Sequence, residues 1–162
     1  VYKRQVDIIK QNIVSKSDYE KIHQISLDLF KRGSKIAYDN GLILVDTKYE
    51  FGYDSNGDIT LIDEIHTPDS SRYFYLNTYD ELLNKNQKQK QLSKEFFREW
   101  LMKNNFRGIE GQTIPEISDD VVEMVSSRYI ELYEKLLGEK FIKPKSNNIL
   151  NRIKENLKDY LF

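Results

Sequence analysis

Of the 162 residues none is cysteine, two are histidine, three are proline and seven are glycine. The lack of cysteine excludes a disulfide framework and a thiol nucleophile, and it suits a cytoplasmic protein. Two isolated histidines, His23 and His66, cannot form a Cys/His metal cluster. His23 falls inside a helical pattern and reads as a packing or surface residue. His66 sits in a proline-containing turn and by itself supports no catalytic role. No apolar run approaches the ~20 residues that span a bilayer, no glycine-rich phosphate loop is visible, and no segment repeats. Charge of one sign is also missing: 25 Lys and Arg face 26 Asp and Glu, a net charge of -1, which gives no general attraction to nucleic acid. What remains, 39% hydrophobic and 31% charged residues, is the composition of a globular chain with one core rather than a disordered one.

The most informative stretch is Gly41–Gly52, GLILVDTKYEFG. Alternate residues of a strand face opposite ways, so Asp46, Lys48 and Glu50 share one face, while Ile43, Val45, Thr47, Tyr49 and Phe51 are expected on the core face. A second strand is expected over Ile59–Asp63. Asn56-Gly57 between the two is a strong two-residue hairpin signal. That loop pairs Ser55 with Asp58, Phe51 with Ile62 and Glu50 with Asp63. Opposed carboxylates about 5 Å apart repel by roughly 3 kcal/mol at an effective dielectric near 20, more than the ~0.2–1 kcal/mol of an ordinary cross-strand pair. A shared cation removes the conflict, and magnesium, which takes one or two carboxylates plus substrate phosphates, suits oxygen ligands. A bulge at Gly52 or Tyr53 would shift the register by one residue.

The next segment, Glu64-Ile65-His66-Thr67-Pro68-Asp69-Ser70-Ser71-Arg72, is turn chemistry closed by an arginine. Its hydroxyls and free N–H groups suit a phosphate or carboxylate. Around it the periodicity predicts helices. The first begins at a Ser17-Asp18-Tyr19-Glu20 capping box and stops at Asn40-Gly41. Others cover about 80–83, 93–104, 119–137 (ended by Gly138) and 147–161, the last with Ile149, Leu150, Ile153, Leu157, Tyr160 and Leu161 as a buried stripe. Lys94 and Arg98, four apart on a helix whose Phe97, Trp100 and Leu101 face the core, read locally as a solvated face. The polar run Asn84–Gln91, with three lysines, reads as a surface loop. The fold class is α+β, a small antiparallel sheet packed with helices.

Residues 41–52 and 63–74 resemble the two signature segments of the SAICAR synthetase (phosphoribosylaminoimidazole-succinocarboxamide synthase) family, and the resemblance continues through 91–101 and 127–134. It implies an ATP-dependent ligase of purine biosynthesis that joins L-aspartate to carboxyaminoimidazole ribonucleotide, with ATP and magnesium as cofactors and an acyl phosphate as the activated carboxylate. By the family's pattern Glu50 and Asp63 hold magnesium, and Lys48 and Asp63 are the catalytic pair. Asp46, Lys48, Asp69, Ser70, Ser71, Arg72, Lys94 and Arg98 bind substrate. The partners implied are these small molecules, with no nucleic acid and no membrane, and self-association is left open.

The resemblance also implies the larger lobe of a two-lobed, kinase-like fold. Residues 6–162 are then a C-terminal lobe lacking the N-terminal one, so the isolated chain is expected to be inactive. Residues 1–5, Val1-Tyr2-Lys3-Arg4-Gln5, match the translation of a transposon end used in sequencing libraries and read as a scar to be set aside. Two other readings stay open: a noncatalytic module that binds anions or metal, and another ATP-dependent carboxylate ligase or kinase with a similar lobe.

Overall fold

Ser15 starts the long helix. Its hydroxyl accepts from the Asp18 N–H at 3.1 Å and donates to the Asp18 carboxylate at 2.7 Å, so the reciprocal cap lies two residues ahead of the expected Ser17 box. The computed structural model describes residues 5–144 and 148–160. The scar expected at 1–5 lies outside the described residues except for Gln5, as do residues 147 and 161 of the expected last helix. Helix α1, Gln5–Lys10, precedes α2, Lys16–Asp39, which stops where expected, with Gly41 at φ 72°.

Strand β1, Leu42–Thr47, follows at once. It pairs antiparallel with β4, Ser71–Tyr75, which in turn pairs with the two-residue β5, Gln91–Leu92. Strands β2, Glu50–Tyr53, and β3, Ile59–Ile62, form a separate hairpin. The helices after β4 are α3, Leu76–Asn84, α4, Glu95–Lys103, α5, Asp119–Leu137, and α6, Ile149–Leu157. Gly138 at φ 68° ends α5 as expected. The arrangement is α+β, and none of the described helices is long and apolar enough to cross a membrane.

Two strand expectations are corrected. The core takes Leu42 and Leu44, while Ile43 and Val45 are half-buried. The register slips between Leu44, which faces Tyr73, and Asp46, which faces Arg72. A bulge adds one residue and reverses the alternation. Beyond it Thr47 turns inward, and Asp46 turns out as expected. The hairpin loop has three residues, not two. Asp54 pairs with Asp58 by an N–H to carbonyl bond of 2.9 Å, and the Asp54 carboxylate accepts the N–H groups of Asn56 and Asp58, both at 2.9 Å. Gly57 alone takes positive φ, at 82°, the geometry of a tight turn followed by a left-handed glycine. Glu50 therefore opposes Ile62, and Phe51 opposes Leu61.

The core is Ala37 of α2, Leu42 and Leu44 of β1, Tyr73 of β4, Leu92 of β5 and Leu132 of α5, flanked by Phe30, Tyr75 and Leu136. Helices α2 and α5 thus clasp one sheet face. Phe97, Trp100 and Leu101 are half-buried rather than core, with Phe97 and Trp100 stacked at 5.8 Å. The expected stripe of α6 is solvent-facing: Leu150 is 72% exposed and Tyr160 76%, with Ile149, Ile153 and Leu157 also exposed. Helical periodicity marks a face able to be buried, and here none of the described residues covers it. In the lysine run, Lys85 pairs with Glu81 at 2.6 Å and Lys88 pairs with Glu99, as a solvated loop does.

Candidate functional site

The bulge in β1 decides the first feature of the site. It leaves Asp46 directly across from Arg72, whose Nε donates to both carboxylate oxygens at 3.1 Å and whose Nη2 donates to Oδ2 as well. Such a fork holds both groups in plane. The Arg72 guanidinium keeps the Asp46 carboxyl below the usual carboxylate range, and Asp46 raises Arg72 in return.

Beyond Thr47 the chain leaves the sheet. The Lys48 N–H donates to the Ser70 carbonyl at 3.1 Å, which ties the exit of β1 to the 63–70 segment. The Lys48 ammonium lies 2.5 Å from Glu50 Oε1 and 3.6 Å from Asp63 Oδ2. Expected as a cross-strand pair, Glu50 and Asp63 are instead neighbours through Lys48. The three-residue loop moves the register by one, and Asp63 leaves β3 with left-handed backbone, φ 63°. The repulsion is relieved by an ammonium, which these carboxylates, Glu50 first, push to a higher pKa. Both acids still converge on one cation, and about half of each side chain remains open to solvent.

A fourth ion pair closes the ledge. Lys94, at the head of α4, reaches Asp69 Oδ1 at 2.8 Å, and its N–H donates to the Pro68 carbonyl. The hydrogen bond from the Lys94 ammonium lowers the Asp69 pKa, helped by the charge of Lys48. Arg98 is not brought to this cluster. It is 71% exposed and pairs with Glu95 at 3.7 Å. Ser70 and Ser71 lie in a run of hydroxyls: Thr67 to Ser70 at 3.4 Å, Ser70 to Ser71 at 3.3 Å, and Ser71 donating to Thr47 at 2.9 Å. Thr67 at the other end donates to Glu64. Ser71 is buried, so its hydroxyl braces the strand pair, while Ser70 is half-buried at the ledge.

Sequence reasoning gave Tyr49 to the core face and His66 no role, yet the two meet. Tyr49 Oη lies 2.6 Å from His66 Nε2, and Tyr73 Oη donates to the His66 carbonyl at 2.8 Å. Burial lowers the His66 pKa, favouring the neutral ring. The only sequence signal for this was position, since each residue lies within three of a predicted acid. Behind the 64–68 segment, between α2 and α5, is a mostly apolar cavity of about 730 Å³ that Ile36, Tyr129, Leu132 and Leu136 help to line. It carries none of the ion pairs. Among the described residues no group of three or more His, Cys, Asp or Glu could hold a metal by itself. Glu50 and Asp63 are two carboxylates, so they could hold a metal ion only with further ligands from a bound phosphate or water.

Residues 3–113 match the family model described as SAICAR synthetase. The chain is 57% identical over 155 residues to the phosphoribosylaminoimidazole-succinocarboxamide synthase of Azobacteroides pseudotrichonymphae, covering 96% of this chain and 48% of that protein. To the enzyme of the same name from Bacteroides thetaiotaomicron it is 54% identical, covering 96% and 49%. It spans about half the length of the curated relatives it matches. A solved SAICAR synthase from Saccharomyces cerevisiae, complexed with SAICAR, superposes with a TM-score of 0.65 at 33% identity over 82% of this chain and 42% of that one. A SAICAR synthetase in complex with ADP gives 0.57 at 30% identity over 83% and 44%.

Proposed function

This chain belongs to the SAICAR synthetase family, and from that premise we propose that a protein of the family's full length carrying it is an ATP-dependent ligase. It joins L-aspartate to the carboxylate of carboxyaminoimidazole ribonucleotide, releasing the succinocarboxamide, ADP and phosphate. The observation that carries the reading is the convergence of Glu50 and Asp63 on the Lys48 ammonium, beside the Asp46–Arg72 fork, on an open ledge. Relatives solved with SAICAR and with ADP support the same ligand classes here.

Ligation brings several anions together: a carboxylate, the nucleotide phosphates and the ribonucleotide phosphate. The ledge supplies the opposing charge. Arg72, held in orientation by Asp46, and Lys94, presented by the head of α4, bind the anionic groups of the ribonucleotide, with Ser70 beside them. Asp69 holds Lys94 in place, and Arg98 adds a more distant cation. Lys48 sits where a reacting carboxylate is neutralised and its developing charge stabilised. Glu50 and Asp63 would hold magnesium, which when bound supplies charge neutralisation to the nucleotide phosphates. Substrates of this kind are soluble metabolites, which makes the cytoplasm the expected setting, with neither nucleic acid nor membrane as a partner.

The test is direct. The full-length protein, given ATP, magnesium, aspartate and carboxyaminoimidazole ribonucleotide, should form succinocarboxamide and ADP in equal amounts, whereas the isolated 162-residue chain should not turn over. ATP consumption without aspartate incorporation would point to a kinase. Ribonucleotide binding without any turnover by the full-length protein would leave the noncatalytic module.

A further inference from the structure

We propose that His66 is a positioning residue for the ligation site, a key that locks the Lys48–Glu50 strand exit to the Asp63–Ser70 segment through Tyr49. The inference rests on the ligase reading above and assigns a role to residues that touch none of the reacting groups.

Tyr49 stands between Lys48 and Glu50, and chain alternation turns its ring away from the ledge those two residues form. On that reverse side its hydroxyl is hydrogen-bonded to His66 Nε2 at 2.6 Å, with the rings edge to face at 64°. His66 lies three residues after Asp63 and three before Asp69. Its carbonyl accepts from Tyr73 Oη, which fixes the segment to β4 as well. Both Asp63 and His66 have left-handed backbone, φ 63° and 57°. For residues other than glycine this costs roughly 1–2 kcal/mol each, and it persists only where surrounding contacts enforce it. The Tyr49 and Tyr73 hydrogen bonds are such contacts.

Helix α2 supplies the backing. A Cβ on Gly33 would lie 2.2 Å from His66 Cε1 and 2.6 Å from its Nδ1, so the ring occupies the space that glycine leaves open. A glycine inside a helix costs roughly 0.5–1 kcal/mol relative to alanine, and its use here is that close approach. One residue, through its ring to α2 and Tyr49 and through its carbonyl to β4, thus joins these elements to the segment bearing Asp63, Asp69 and Ser70. Removing the key frees Asp63 to move relative to Lys48, and a displacement of about 1 Å can cost as much as a hundredfold in rate.

Three variants of the full-length protein test this. Tyr49→Phe removes only the hydroxyl, Gly33→Ala displaces the ring, and His66→Asn keeps a residue that tolerates left-handed backbone. Each should lower kcat about ten- to a hundredfold with KM little changed, at a temperature where circular dichroism shows every variant folded. The Tyr49→Phe/Gly33→Ala double variant should be no worse than the poorer single one, because both act through one hydrogen bond. Amide exchange provides a readout without substrate: the Lys48 N–H, bonded to Ser70, should exchange faster in all three, while Leu44 and Tyr73 in the sheet keep their protection. Wild-type kcat in the variants, or losses that multiply in the double variant, would overturn the proposal. A wild-type protein that does not ligate, but whose variants show the exchange change, would sink the ligase reading and leave the mechanical link standing.

Discussion

The three-stranded sheet and the β2–β3 hairpin are both antiparallel and are separated by two residues, Lys48 and Tyr49, yet they are built differently. The sheet buries Leu42, Leu44, Tyr73 and Leu92 almost completely against α2 and α5. The hairpin buries no residue fully. A lone two-stranded hairpin is marginal in water, and this one depends on the Asp54 turn and on the Tyr53 hydroxyl, which donates to Asp18 at 2.9 Å. Charged side chains needed at a ligand surface cannot sit where the core is, so they gather at the junction, on backbone that the sheet anchors from one side only. Stability and the proposed chemistry should therefore be separable, and substitutions should sort accordingly.

The largest effect belongs to the junction. Asp63→Asn in the full-length protein should cut ligation about a thousandfold, because it removes a carboxylate proposed to hold the magnesium that neutralises the nucleotide phosphates, with an unchanged thermal midpoint, since asparagine also accepts left-handed backbone. A variant that ligates normally, or one that unfolds, would break the separation. Next comes the sheet. Leu42→Ala should destabilise by about 2–5 kcal/mol, and Leu61→Ala in the half-buried hairpin by about 1 kcal/mol. Equal losses on urea titration would mean the hairpin is as much a part of the core as the sheet.

Gly57→Ala comes third. At φ 82° alanine is strained, by roughly 1–2 kcal/mol. Exchange should accelerate in residues 50–62 and leave the sheet untouched. Uniform acceleration would show that the two regions open together.

Smallest is the response to acid. Asp46 has a folded pKa below its unfolded one because of Arg72. Its contribution is therefore present at neutral pH and lost as pH falls through about 4 and below. At half exposure it amounts to under about 1 kcal/mol. His66, lowered by burial, also favours the folded state above its unfolded pKa, so stability should begin to decline as pH drops below about 6.5. Arg72→Gln should remove the first effect and spare the second. A pH–stability curve that loses both, or neither, would contradict the assignment.

Local chemistry made much of this legible beforehand. The stop at Asn40-Gly41 and the bounds of α5 depend on residues within a turn of each end, and the outward set Asp46, Lys48 and Glu50 was legible from alternation, although Asp46 faces out only because the bulge reverses the pattern of Leu42 and Leu44. The family resemblance rested on the same contiguous segments. Even the hairpin's failure to close in two residues is local, because the Asp54 carboxylate outcompetes the Asn-Gly preference. Other features needed distant partners. The bulge at Val45 exists only in pairing with β4, some 27 residues away, and Leu92 becomes core only once β5 lies beside Tyr73. The stripe of α6 has the right period, but among the described residues nothing covers it. Tyr49 and His66 meet only after α2, β1 and the 63–70 segment have packed around Gly33. Sequence by itself determined the caps, the charges and their spacing, because these follow from neighbours along the chain. Which strand face is buried, which carboxylates share a cation and which histidine holds them in place was decided by tertiary structure, where residues far apart in sequence compete for the same space.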